Sequence, residues 1–112
     1  MKPHRPIHLT VEQAASTFAA LGSEQRLGVL NTLVRAGPDG LSIGELGERS
    51  GVTGSTLTHH MKKLTEAGLV TQERRGRSII CAAAAYDEMQ ALSEYLLNEC
   101  CADAADGQKH HD

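Results

Sequence analysis

Apolar residues recur at intervals of three and four along most of this chain, and polar capping residues mark where each run begins. Val11, Ala14, Ala15 and Phe18 predict a helix to about Leu21, opened by Thr10 with Gln13 three residues on, a capping box. Gly22 breaks it. Ser23 caps a second helix whose buried face is read as Leu27, Leu30, Leu33 and Val34, and "AGPDG" (36–40) ends it. Ser42 and Glu45 form another capping box, opening a short helix with Ile43 and Leu46 inward that stops at Gly51. After a tight turn, Thr53 caps a helix with Leu57, Met61 and Leu64 inward, stopped at Gly68.

Two short helices joined by a glycine-containing turn are the pattern of a helix-turn-helix. The stretch that follows, "LVTQERRGRSIICAAAA", reads as a hairpin, Val70–Arg74 and Arg77–Ala82, with Gly76 at a tip carrying three arginines. A hairpin in that place is the wing of a winged helix. A last helix is predicted over Tyr86–Cys101, with Met89, Leu92, Leu96 and Cys100 on one face, widened by Leu97 and Cys101. The expected fold is mainly α with a small β-hairpin. It comprises an N-terminal arm (1–9), a winged helix-turn-helix domain (10–101) and a disordered acidic tail (102–112).

Composition adds class and compartment. At 112 residues the chain makes one domain with one modest core, and with Phe18, Tyr86 and Tyr95 as its only aromatics that core is aliphatic. No run of about 18 apolar residues spans a membrane, and "MKPHRPIHLTVEQ" lacks the apolar stretch of a secretory signal. A cytoplasmic protein with no membrane partner is expected, its three cysteines free thiols and not a disulfide framework. The net charge of −3 conceals an asymmetry. Residues 53–80 hold Lys62, Lys63, Arg74, Arg75 and Arg77 against Glu66 and Glu73. Residues 87–112 hold Asp87, Glu88, Glu94, Glu99, Asp103, Asp106 and Asp112 against Lys109 alone. Only the middle suits a polyanion.

In a helix-turn-helix the second helix enters the major groove. With Leu57, Met61 and Leu64 inward, Ser55, Thr58, His59 and Lys62 point outward, and with Thr56 they are the candidate readers of double-stranded operator DNA. Lys62, Lys63, Arg74, Arg75 and Arg77 suit phosphates, and the wing arginines can also enter a minor groove. His60 is read as half-packed at the helix edge. A helical hairpin serving only protein interaction would need caps, glycines, inward spacing and a basic tip to coincide by accident.

"LGSEQRLGVLNTLV", "LSIGELGERSGVTGSTLTHHMKKLTEAGLV" and "RRGRSIICAA" resemble the ArsR/SmtB family of bacterial metal- and stress-sensing repressors, over about residues 12–100. The resemblance implies a homodimer assembled through the first and last helices, bound to a palindromic operator and released by an inducer. Two departures stand out. Gly54 occupies a position where the family often has glutamine, and Ser42 and Gly44 stand where some members carry sensing cysteines.

Inducer sensing is therefore expected at Cys100 and Cys101. A disulfide between neighbours is strained, because bridged Cα atoms normally lie about 4.4–6.8 Å apart and adjacent ones about 3.8 Å. Thiolates prefer soft, thiophilic species, and trivalent arsenic needs two or three sulfurs and no tetrahedral cage. The family's arsenic-responsive members with a C-terminal vicinal pair extend the resemblance to these two residues. The expected inducer is a trivalent arsenical, arsenite or methylarsenite, with no organic cofactor. Cys81, a cysteine of the partner subunit, or nothing supplies a third ligand, and Cys81 also reads as a buried small hydrophobe. A thiol redox or persulfide sensor of the same fold is the alternative. Zinc is disfavoured because the last helix has no histidine, His110 and His111 lying in the tail. An enzyme would require Cys100 to pair with a tail histidine that nothing in the sequence orders.

Overall fold

The computed structural model describes residues 8–104. Its elements run α1 (Val11–Ala20), α2 (Glu24–Ala36), β1 (Leu41–Ser42), α3 (Ile43–Ser50), α4 (Gly54–Glu66), β2 (Val70–Arg75), β3 (Ser78–Ala83) and α5 (Tyr86–Leu97). Both capping boxes form. The Gln13 amide donates to Thr10 Oγ1 at 3.0 Å and the Thr10 amide to Gln13 Oε1 at 2.9 Å. The Glu45 amide donates to Ser42 Oγ at 3.1 Å and the Ser42 amide to Glu45 Oε1 at 3.0 Å. Those bonds hold the Glu45 carboxyl below the usual carboxylate range. Thr53 takes the N-cap position of α4, but its hydroxyl makes no capping bond.

The three strands form an antiparallel sheet in the order β1-β3-β2, with Cys81 opposite both Leu41 and Gln72. Strand β1 was not foreseen. Two residues show no periodicity, and Leu41–Ser42 is a strand only because β3 offers it an edge. The core joins α2, α3, α4 and the sheet, with Val29, Leu33, Leu46, Leu64 and Cys81 fully buried.

Two expectations need correction. On α2 the core face is Val29, Leu30 and Leu33, whereas Leu27 and Val34 are 41% and 50% exposed and flank it. The last helix ends at Leu97, not Cys101. Its last turn has no basic residue, Glu99 sits against the negative end of the dipole, and the chain tightens into i→i+3 turns. Residues 98–104 are those turns, and the rest of the anticipated tail, 105–112, lies outside the described residues, as do residues 1–7 of the arm.

Gly40 fixes how α2 is returned to the sheet. It stands at φ +73°, and a Cβ there would overlap the Cys81 carbonyl. Gly40→Ala is therefore expected to destabilise the fold by about 2–4 kcal/mol, combining left-handed strain with overpacking. A fall in the urea midpoint at unchanged slope measures it; no shift would mean that β1 moves freely off β3.

Candidate nucleic-acid interface and thiol pair

Helix α4 divides cleanly. Leu57, His60, Met61 and Leu64 are buried, while Ser55, Thr56, Thr58, His59, Lys62 and Lys63 are all exposed. The exposed set therefore lies on the side of the helix that the core leaves open, and it carries two lysines and no carboxylate. At the wing, Gly76 and Arg77 make the turn between β2 and β3, and Arg74, Arg75 and Arg77 are exposed. Arg75 Nη2 lies 3.3 Å from Glu73 Oε1, a solvent-exposed pair that contributes little to stability. Position 54 has a backbone reason for its glycine. It opens α4 at φ +65°, where a glutamine would be strained.

His60 is more deeply buried than expected, at 7% exposure. Its Nε2 lies 3.1 Å from Gln25 Oε1 and its Nδ1 3.5 Å from Arg26 Nη1. Arg26 Nε donates to the Ala20 carbonyl, the last residue of α1, at 2.6 Å. Burial first, then Arg26, then His59 push the His60 pKa below the ordinary histidine value. The signal for this burial was present in the spacing, since position 60 falls on the same helical face as Leu57, Met61 and Leu64. Arg26 and Gln25 carried no such signal.

Cys100 and Cys101 converge. Their Sγ atoms lie 3.3 Å apart in a thiol–thiol hydrogen bond, Cys100 exposed and Cys101 half-buried. The turn makes this possible, since consecutive residues of an α-helix point about 100° apart. Cys101 alone among the non-glycine residues described has positive φ, at +66°. The hydrogen bond to Cys100, then burial, then the neighbouring charge raise the Cys101 pKa. Cys81 does not join them. It is fully buried in β3, its thiol pushed up by burial, and among the described residues no three His, Cys, Asp or Glu side chains are grouped to hold a metal ion. No helix among the described residues is long and apolar enough to cross a membrane.

Among the described residues, five helices with a three-stranded antiparallel sheet, the third and fourth helices forming a helix-turn-helix and β2–β3 the wing, define a winged helix-turn-helix protein. A family model described as a helix-turn-helix domain matches residues 21–73. The chain is 38% identical over 84 residues to the HTH-type transcriptional regulator NmtR of Mycobacterium tuberculosis, covering 75% of this chain and 68% of that protein. It is 39% identical over 64 residues to the uncharacterised HTH-type regulator YceK of Bacillus subtilis, 57% of this chain and 63% of that protein, so just under two thirds of the latter is spanned. An ArsR-like transcriptional regulator from Rhodococcus sp. RHA1 superposes with a TM-score of 0.67 at 30% identity, over 82% of each chain. The chain belongs to the ArsR family of winged helix-turn-helix transcriptional regulators.

Proposed function

We propose that this chain is a dimeric repressor that binds operator DNA through α4 and the wing, and leaves it when a trivalent arsenical bridges Cys100 and Cys101. The single observation behind the sensor is the 3.3 Å separation of two accessible thiols. The two sulfurs stand close enough for one soft atom to bond both. Trivalent arsenic takes two or three sulfurs and asks for no tetrahedral cage. Two thiols displacing two hydroxides from a methylarsenical form two As–S bonds, break two As–O bonds and release two waters, with no change of oxidation state. The carbon fills the third valence, so the pair needs no third ligand, and the burial of Cys81 favours this version over arsenite held by three sulfurs of one chain.

DNA binding rests on the exposed lysines, arginines and hydroxyls of α4 and the wing. Neutralising phosphates makes affinity fall steeply with salt. Replacing Lys63, Arg74 and Arg75 by Ala should weaken binding and reduce the salt slope by about 0.9 for each phosphate no longer neutralised. Ser55→Ala or His59→Ala should instead relax base preference, at about 1–3 kcal/mol for a well-formed hydrogen-bonded pair. Unchanged affinity in the triple variant would show that DNA docks elsewhere. The probe is a duplex selected from a random-sequence pool by the wild-type protein.

Dimerisation through α1 and α5 accounts for Val11, Leu96 and Leu97, each about two-thirds exposed on the single chain. Leu92 is 9% exposed and packs in the subunit's own core, so it cannot report on the interface. Leu97→Asp should yield a folded monomer by light scattering; a stable dimer from Leu96→Asp/Leu97→Asp would place the interface elsewhere.

The sensor is tested by replacing Cys100 and Cys101 together with Ser. Operator binding should persist while release by methylarsenite is abolished, and Cys81→Ser should leave that release intact. Normal release in the double variant would return the pair to a packing role. Release of the wild type by an oxidant or persulfide, with no response to arsenicals, would select the thiol redox alternative.

A further inference from the structure

We infer that His60 is the positioning residue of the reading helix: as a neutral imidazole protonated on Nε2, it ties α4 to α2, and through Arg26 to the end of α1, in the orientation that docks on DNA. This role rests on the proposed DNA binding and adds to it a residue that faces away from the DNA.

The tautomer follows from the partners. A guanidinium can only donate, so Nδ1, 3.5 Å from Arg26 Nη1, is the accepting nitrogen. A neutral imidazole has one acceptor, so Nε2 carries the proton and donates to Gln25 Oε1 at 3.1 Å. Turning the Gln25 amide over would require the ring to accept twice, which it cannot do. Arg26 is itself held, because its Nε closes on the Ala20 carbonyl, one of the orphan acceptors at the end of α1. The result is a continuous chain, Ala20–Arg26–His60–Gln25, joining three helices behind the exposed face of α4.

Protonation breaks this chain at one atom. A proton on Nδ1 removes the acceptor and sets an imidazolium against a guanidinium. The charged and titratable groups facing His60 offer no relief. They are Arg26 on α2 and His59 on α4, whose ring centre is 5.8 Å away. Lys63 and Glu66 of α4 line the adjoining depression with Arg26, where α1 contributes only Ser16, Ala19 and Ala20. Among the described residues Arg26 forms no ion pair. The sign is fixed. With its native pKa below the unfolded value of about 6.5, the stabilisation is complete above that pH and is lost as pH falls below it.

Nitrogen-15 spectra of the imidazoles in the free, full-length protein test the tautomer without DNA. His60 should show an Nε2–H neutral ring that titrates below the ordinary histidine value; an Nδ1–H ring, or a normal or raised pKa, overturns the proposal. On the selected duplex, His60→Gln and Arg26→Gln, checked as folded by circular dichroism, should each bind on the order of tenfold more weakly, the scale of a coupling between sites. The further loss of affinity that wild type shows below about pH 6.5 should shrink in His60→Gln. Folded variants binding like wild type at every pH would overturn the role. If His60→Gln does not fold, Arg26→Gln and the spectra decide. Failure of wild type to bind any selected duplex would overturn the DNA reading and the positioning role with it, while the tautomer would still be judged from the spectra.

Discussion

The burial of one face of α4 is the constraint on which the rest of this molecule depends. Leu57, Met61 and Leu64 enter a single cluster with Val29, Leu30 and Leu33 of α2 and Leu46 of α3. Each fully buried aliphatic side chain contributes about 1.5–3 kcal/mol, so the rotation of α4 about its axis is set by several such residues at once. Once that rotation is fixed, every polar residue between Ser55 and Lys63 except His60 is turned to solvent. The surface chemistry of the helix is a consequence of its packing.

Apolar burial is non-directional. The hydrogen bonds around His60 are directional and add fixed partners on α2 to that burial. Through Arg26 they also connect the end of α1 to α4, where the Thr17 hydroxyl of α1 donates to the Ala67 carbonyl at 3.4 Å as well. On the proposed reading, the same helix carries a polar outer face for binding and one polar inner residue for alignment.

The helices, their caps and the wing were legible because each has a local cause: a Thr10–Gln13 or Ser42–Glu45 box, an apolar stripe, a glycine at the turn. What was not legible is set by neighbours distant in sequence. Leu27 and Val34 fit the periodicity of α2 as well as Val29 does, and the placement of α3, α4 and β3 decides which face is covered. Strand β1 exists because β3 lies beside it. The extension of α5 to Cys101 failed for a related reason: apolar spacing continues past Leu97, but no cap or basic residue favours the helix, and the thiols meet in a turn instead. The acidic end and the basic middle were plain from composition, while the tail beyond residue 104 lies outside the described residues.

On the proposed reading, the location of the thiols sets what an inducer must achieve. Moving a two-state equilibrium from almost wholly bound to almost wholly released takes a differential of about 5.5 kcal/mol. A dimer carries two thiol pairs, so each must supply about half of that, near the top of the usual range of about 1–3 kcal/mol for coupling between sites. Binding at a rigid, fully packed helix would have to break its packing first. The pair follows instead the end of α5, where Leu96 and Leu97 are not held by their own subunit and only Ala91 and Leu92 are buried. Closing two sulfurs on one atom there reshapes a turn and the interface next to it, leaving the cluster around α4 whole. Release then proceeds by changing how two intact reading heads are spaced, which costs far less than unfolding either one.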